Sequence, residues 1–146
     1  MDGLTIRPAT PDDVPAIVAF GRELVGEMPY AVPCVDADLA IYYSGIVEKG
    51  VILIAEVEGR IIGGIGLRET PLFWNLSEFT TQVKFIYIAE SFRGRMANLF
   101  MARVMSMLKG RRVELTVNSG GRIDAKARWF RRFGLAVAGH HFAKDI

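Results

Sequence analysis

Two apolar runs, Val51–Val57 and Arg60–Leu67, stand on either side of the dipeptide Glu58-Gly59. Both runs are rich in β-branched residues. A two-residue separation that ends in glycine is the strongest short-range signal for a β-hairpin, because the tight turn needs a backbone that glycine adopts freely. The middle of the chain is therefore committed to antiparallel sheet, and the flanking segments must cover it or extend it.

Those segments read clearly at the N-terminal side. Leu4–Pro8 is expected to be a short strand, with Leu4 and Ile6 on one face. Thr10-Pro11-Asp12-Asp13 opens a helix, with Thr10 as N-cap, Pro11 at the first helical position and Asp13 completing a capping-box variant. Val14, Ile17, Val18, Gly21, Leu24 and Val25 follow at helical spacing. After a proline-containing loop over Met28–Pro33, a second helix starts at Asp36 or Asp38. It carries Leu39, Tyr42, Tyr43 and Ile46, and ends at Lys49 and Gly50.

Beyond the hairpin, Glu69–Thr81 has mixed character and is read as a loop or short strand. Gln82–Ile88 is a strand, Met96–Leu108 a helix with a broad apolar stripe, and Arg112–Val117 an alternating strand. Asp124–Phe133 is a helix closed by Gly134, and Ala136–Phe142 is a last strand. The order β-α-α-β-β-β-α-β-α-β predicts a mixed α/β fold in one domain spanning residues 1–146: a central twisted mixed sheet flanked by about four helices.

Composition narrows the function classes. With 51% hydrophobic and 23% charged residues the chain has a folding composition. The net charge is only +2, and the arginines gather at Arg93–Arg103 and Arg122–Arg132, which suits a small polyanion as well as a nucleic acid; nucleic-acid binding is not expected. The single cysteine, Cys34, removes a disulfide framework and any Cys-based zinc site, so no metal is expected. His140-His141 are neighbours on a strand, point to opposite faces and make a poor metal pair. The longest apolar run, Ile61–Leu67, is interrupted by Gly63, Gly64 and Gly66 and is too short to span a bilayer; with no signal-peptide pattern, a cytoplasmic location is expected.

Four stretches then carry a family resemblance. The opening Leu4-Thr5-Ile6-Arg7-Pro8 with its helix start, the Val51–Leu67 hairpin, the run Phe85-Ile86-Tyr87-Ile88-Ala89-Glu90-Ser91-Phe92-Arg93-Gly94-Arg95, and Trp129-Phe130-Arg131-Arg132-Phe133-Gly134-Leu135 resemble, in this order, the signature segments of the GNAT family of N-acetyltransferases. The resemblance is to a divergent bacterial or phage-type member. It implies the GNAT fold, acetyl-coenzyme A as cosubstrate and an amine as acceptor. In the family the loop after the fourth strand resembles Arg/Gln-x-x-Gly-x-Gly/Ala. Arg93 matches, whereas Met96 and Asn98 stand at the two glycine positions.

The physics of that loop suits a pyrophosphate. A strand ends, a short turn follows and a helix begins, so free N–H groups and the positive end of the helix dipole meet an anion. Arg93 and Arg95 add charge-assisted donors. The resemblance implies that coenzyme A is held by Ile86, Ile88, Arg93, Gly94, Arg95, Met96, Ala97, Asn98 and Leu99, with Asn118 on the pantetheine arm and Phe130 near the thioester. A generic strand-to-helix turn with solvated arginines is the plainer alternative for the loop; for Asn118 it is a turn residue ahead of Gly120-Gly121.

Acetyl transfer needs a neutral amine, a polarised carbonyl and a proton for the departing thiolate. Family members often use a tyrosine four residues before the closing glycine as the acid; here that residue is Phe130, which donates no proton and which also suits plain core packing. Tyr87 is the candidate proton-moving phenol, or else a buried packing residue. Glu69 and Glu78 are candidate carboxylates, or else solvated loop residues. A degenerate GNAT-fold module that binds acyl-coenzyme A or a protein partner is the alternative to an enzyme. A homodimer is expected through the apolar segment Leu72–Phe79.

Overall fold

The structure is a computed structural model that describes residues 3–28, 32–116 and 123–136. Its centre is the hairpin of β2 (Val51–Val57) and β3 (Arg60–Leu72), paired from Val51↔Leu67 to Val57↔Arg60. Glu58 and Gly59 both have positive φ, 51° and 74°. A turn of this hand matches the right-handed twist of the strands it joins, which is why two residues suffice. β1 (Leu4–Pro8) adds antiparallel on one side of β2, and β4 (Asn75–Ile88) adds antiparallel to β3. β5 (Val113–Leu115) pairs parallel with β4 through Thr81↔Val113, Gln82↔Glu114 and Val83↔Leu115. The five strands lie in chain order, β1-β2-β3-β4-β5.

Among the described residues four α-helices cover this sheet. A short 3-10 turn over Pro11–Asp13 leads into α1 (Val14–Gly26), and α2 (Asp36–Lys49) follows. α3 (Arg95–Met107) connects β4 to β5, and α4 (Ile123–Arg131) comes after β5. The capping box read from the sequence is present: the Thr10 amide donates to Asp13 Oδ2 at 2.8 Å. Arg7 of β1 donates to the same Asp13 at 2.9 Å and to Glu56 of β2 at 2.9 Å, clamping the start of α1 onto the sheet edge.

The core lies in two layers. On one face Ala97, Phe100, Val104 and Leu108 meet Leu4, Leu53, Ala55, Ile65 and Leu67. On the other, Val14, Ile17, Val18, Tyr43 and Ile46 meet Ile52, Ile54 and Phe85. This explains the unbroken apolar run in β2: Ile52–Ala55 are buried in succession because both faces of that strand are covered.

The principal departure from the sequence reading is the segment Glu69–Thr81, which is neither loop nor short strand. β3 continues to Leu72 and β4 begins at Asn75, so the two strands form an arm. β2 stops pairing at Leu67 and β5 starts at Thr81, so among the described residues the arm has no strand on either side. From Pro71 to Phe79 its side chains are mostly exposed and show no apolar alternation, and Thr70, Thr80 and Thr81, the last two buried where the arm meets the sheet, supply β-propensity instead. Its tip exposes Phe73, Trp74, Leu76 and Phe79. The expected strand Ala136–Phe142 lies outside the described residues except for Ala136. No described helix is long and apolar enough to cross a membrane.

Candidate functional site

The register of β4 sets the site. β4 pairs with β5 only as far as Val83, and Lys84–Ile88 run on without a described β5 partner. At this end Phe85 packs in the α1/α2 layer, while Ile86 and Ile88 pack in the α3 layer, as strand alternation requires. Tyr87 is two positions from Phe85 and shares its face. Its ring stacks on Phe20 of α1 with centroids 5.6 Å apart.

Tyr87 is only 5% exposed, and its hydroxyl donates to a carboxylate oxygen of Glu23, also on α1. Burial, then the hydrogen bond and charge of Glu23, push the phenol up to about 12. Each cause disfavours the phenolate: the ring has lost water, and a second negative charge would face the first. Tyr87 is thus a neutral donor that holds an exposed carboxylate in place.

One helical turn further, Glu27 pairs with Arg93, which follows the 3-10 turn Glu90–Phe92 after β4. The Arg93 Nε donates to the Ile88 carbonyl at 2.9 Å, and its guanidinium sits over the Tyr87 ring, 5.5 Å from the centroid. The sequence reading assigned Arg93 to a phosphate; here two of its nitrogens are engaged by Ile88 and Glu27.

Gly94 then starts α3 with φ 100° and ψ −119°, a conformation open essentially only to glycine. The Asn98 amide donates to the Gly94 carbonyl at 2.9 Å, so the helix is wound from its first turn. The amides of Arg95, Met96 and Ala97 precede any intrahelical acceptor, so their N–H groups stand at the open positive end of the helix. Arg95 is exposed. Met96 and Leu99 pack against the core, and Ala97 is buried. The Asn98 Oδ1 accepts the Trp129 indole N–H at 2.6 Å, which ties α3 to α4. The two positions that lack glycine are therefore occupied by one side chain packed against the core and one bonded to the neighbouring helix.

Phe130 is buried, with its ring centroid 5.0 Å from that of Trp129. Beside it, Ala125, Arg128, Trp129, Arg131 and Arg132 line a basic recess on α4. Glu69 and Glu78 do not join Tyr87. Glu69 pairs with Thr81 and forms an ion pair with Arg111; Thr81 is six residues from Tyr87, on the order of 20 Å along the strand. Glu78 is exposed and lies still further out on the arm. Asn118 and His140-His141 lie outside the described residues. Among those described, no three His, Cys, Asp or Glu side chains are grouped to hold a metal.

The sequence reading missed Glu23 and Glu27. Their i, i+4 spacing puts them on one face of α1, which in sequence looks like any solvated helix face. Only the pairing of that face with the end of β4 distinguishes them.

No family model and no curated protein sequence matches the chain. Solved structures do. A predicted acetyltransferase from Clostridium acetobutylicum, solved with acetyl-CoA, superposes with a TM-score of 0.72 at 18% identity, over 97% of this chain and 96% of that one. A possible acetyltransferase from Clostridium difficile 630 gives 0.78 at 16% identity, over 98% and 97%. The ribosomal-protein-alanine N-acetyltransferase of Brucella melitensis biovar Abortus 2308 gives 0.72 at 13% identity, over 99% of both chains. The mixed five-stranded sheet with four helices is the GNAT acetyltransferase fold.

Proposed function

We propose that this chain transfers the acetyl group of acetyl-coenzyme A to an amine. The observation that carries the reading is the junction of β4 and α3. A strand end that runs beyond its described parallel pairing is followed within six residues by a glycine-started helix N-terminus, with a buried phenol and two carboxylates alongside. In that arrangement the amides of Arg95–Ala97 and the Arg95 side chain would take the pyrophosphate, and backbone N–H groups near Ile86 and Ile88 would hold the thioester carbonyl. The small buried side chain of Ala97 and the positive φ of Gly94 fit a backbone that must come close to phosphate oxygens. The arginines of the α4 recess offer a cationic face to the remaining phosphate of the coenzyme.

Calorimetry with acetyl-coenzyme A tests binding, and thiol release over a panel of amines tests transfer. Saturable binding together with amine-dependent thiol release is the expected outcome. No heat of binding at millimolar coenzyme would remove the reading altogether.

One observation favours a second reading, a binding module without turnover. Phe130 is buried and brings no hydroxyl, so the usual source of a proton for the thiolate is missing. Binding without thiol release for any amine would select this alternative.

A further inference from the structure

The two carboxylates of α1 are not equivalent. Glu27 answers a guanidinium, so its charge is compensated, and Arg93 in turn is held by the Ile88 carbonyl. Glu23 accepts from a neutral phenol, which fixes its position without placing a cation on it. The phenol is deeply buried, stacked on Phe20 and covered by Arg93, so it is a rigid support. Glu23 itself is exposed. A fixed and accessible carboxylate with no ion-pair partner among the described residues, beside the end of β4, meets the requirements for binding a cation and taking a proton from it.

We infer that Glu23, held by Tyr87, is the site that receives the acceptor as an alkylammonium ion and removes its first proton. The inference rests on the acetyl-transfer reading above and names the class of acceptor and the residue that meets it. The ammonium N–H bonds to Glu23, and one proton passes to the carboxylate, leaving a neutral amine. Its lone pair forms the N–C bond to the thioester carbonyl carbon, the C–S bond breaks, and the amine's second proton ends on the coenzyme sulfur. Glu23 then returns its proton to solvent, which its exposure permits. Tyr87 stays protonated throughout and acts as a positioning residue.

The test uses the whole chain and two amines of similar size, an alkylamine that is cationic at neutral pH and its β,β,β-trifluorinated analogue, which is already neutral. Glu23→Gln keeps an oxygen to accept from Tyr87 but cannot take a proton. Expected are an unchanged melting temperature, unchanged affinity for acetyl-coenzyme A, and a fall of about a hundredfold in kcat for the alkylamine. The fluorinated amine should lose only a few-fold. Tyr87→Phe should give a smaller loss with the same preference between the amines. If the parent turns over the alkylamine and Glu23→Gln does so equally well, the inference is overturned while the acetyl-transfer reading stands. Equal losses for both amines would also overturn it, since they indicate a structural effect. A parent that releases no thiol with either amine overturns the reading and the inference together.

Discussion

The phenol of Tyr87 on β4 donates its hydrogen bond to the carboxylate of Glu23, a residue 64 positions earlier on α1. This contact joins the end of β4 that runs beyond its described pairing with β5 to the helix that lies over it. The alkaline behaviour of the protein follows. Burial and Glu23 hold Tyr87 at about 12, and burial does the same for Tyr43. An acid with a raised pKa binds more protons when folded than when unfolded, so this stability is complete below pH about 10 and is lost as pH rises through 12. Burial raises Tyr42 as well, so absorbance titration should show late-ionising tyrosines, and Tyr87→Phe should remove one of those late steps.

Coenzyme binding is expected to depend on the first turn of α3. Gly94→Ala forces a side chain into a backbone conformation that costs roughly 1–3 kcal/mol, and both melting temperature and affinity for acetyl-coenzyme A should fall. Arg95→Ala removes an exposed cation with no expected cost in stability, and should weaken binding alone, by about 1.5–3 kcal/mol. Calorimetry on both variants separates the two effects. An Arg95→Ala protein that binds like the parent would move the phosphate elsewhere.

Phe130→Tyr adds a hydroxyl to a buried ring beside Trp129. Without a partner that oxygen costs about 1–3 kcal/mol, so the variant should unfold at lower denaturant concentration with no gain in turnover. A rise in thiol release at unchanged coenzyme affinity would instead put this position next to the sulfur.

The tip of the β3–β4 arm exposes Phe73 at 87% and Trp74 at 67%, more apolar surface than a ribbon of this size carries without use. Pairing with a second copy through this tip is the expected outcome. Light scattering at micromolar concentration should give the mass of two chains, and Phe73→Ser with Trp74→Ser should give that of one.

Much of this fold is legible in local sequence, and the reasons differ by element. The β2–β3 hairpin declares itself because Glu58-Gly59 permits one turn geometry, and α1 because Thr10, Pro11 and Asp13 build its start within four residues. The arm is not legible, since its outer part is exposed and has no apolar alternation to read. The site divides along the same line. The α3 entry follows from Gly94 and its neighbours in the chain, whereas the pairing of Tyr87 with Glu23 and of Arg93 with Glu27 exists only after α1 is laid on the sheet. Glu69 and Glu78 drew attention as carboxylates near a strand, but the register carries them outward along the arm.

The Arg7–Asp13–Glu56 clamp also determines how the protein meets acid. Hydrogen bonds from Arg7 hold the Asp13 carboxyl well below the usual carboxylate range. A carboxyl so depressed binds fewer protons folded than unfolded, so its stabilisation is present above pH about 4 and drains away as pH falls further. Because Arg7 and the Thr10 amide keep Asp13 charged, the junction of β1 and α1 gives up this clamp only in strong acid. The helix it secures is the one that carries Glu23, so that carboxylate keeps its place over the sheet well into the acid range.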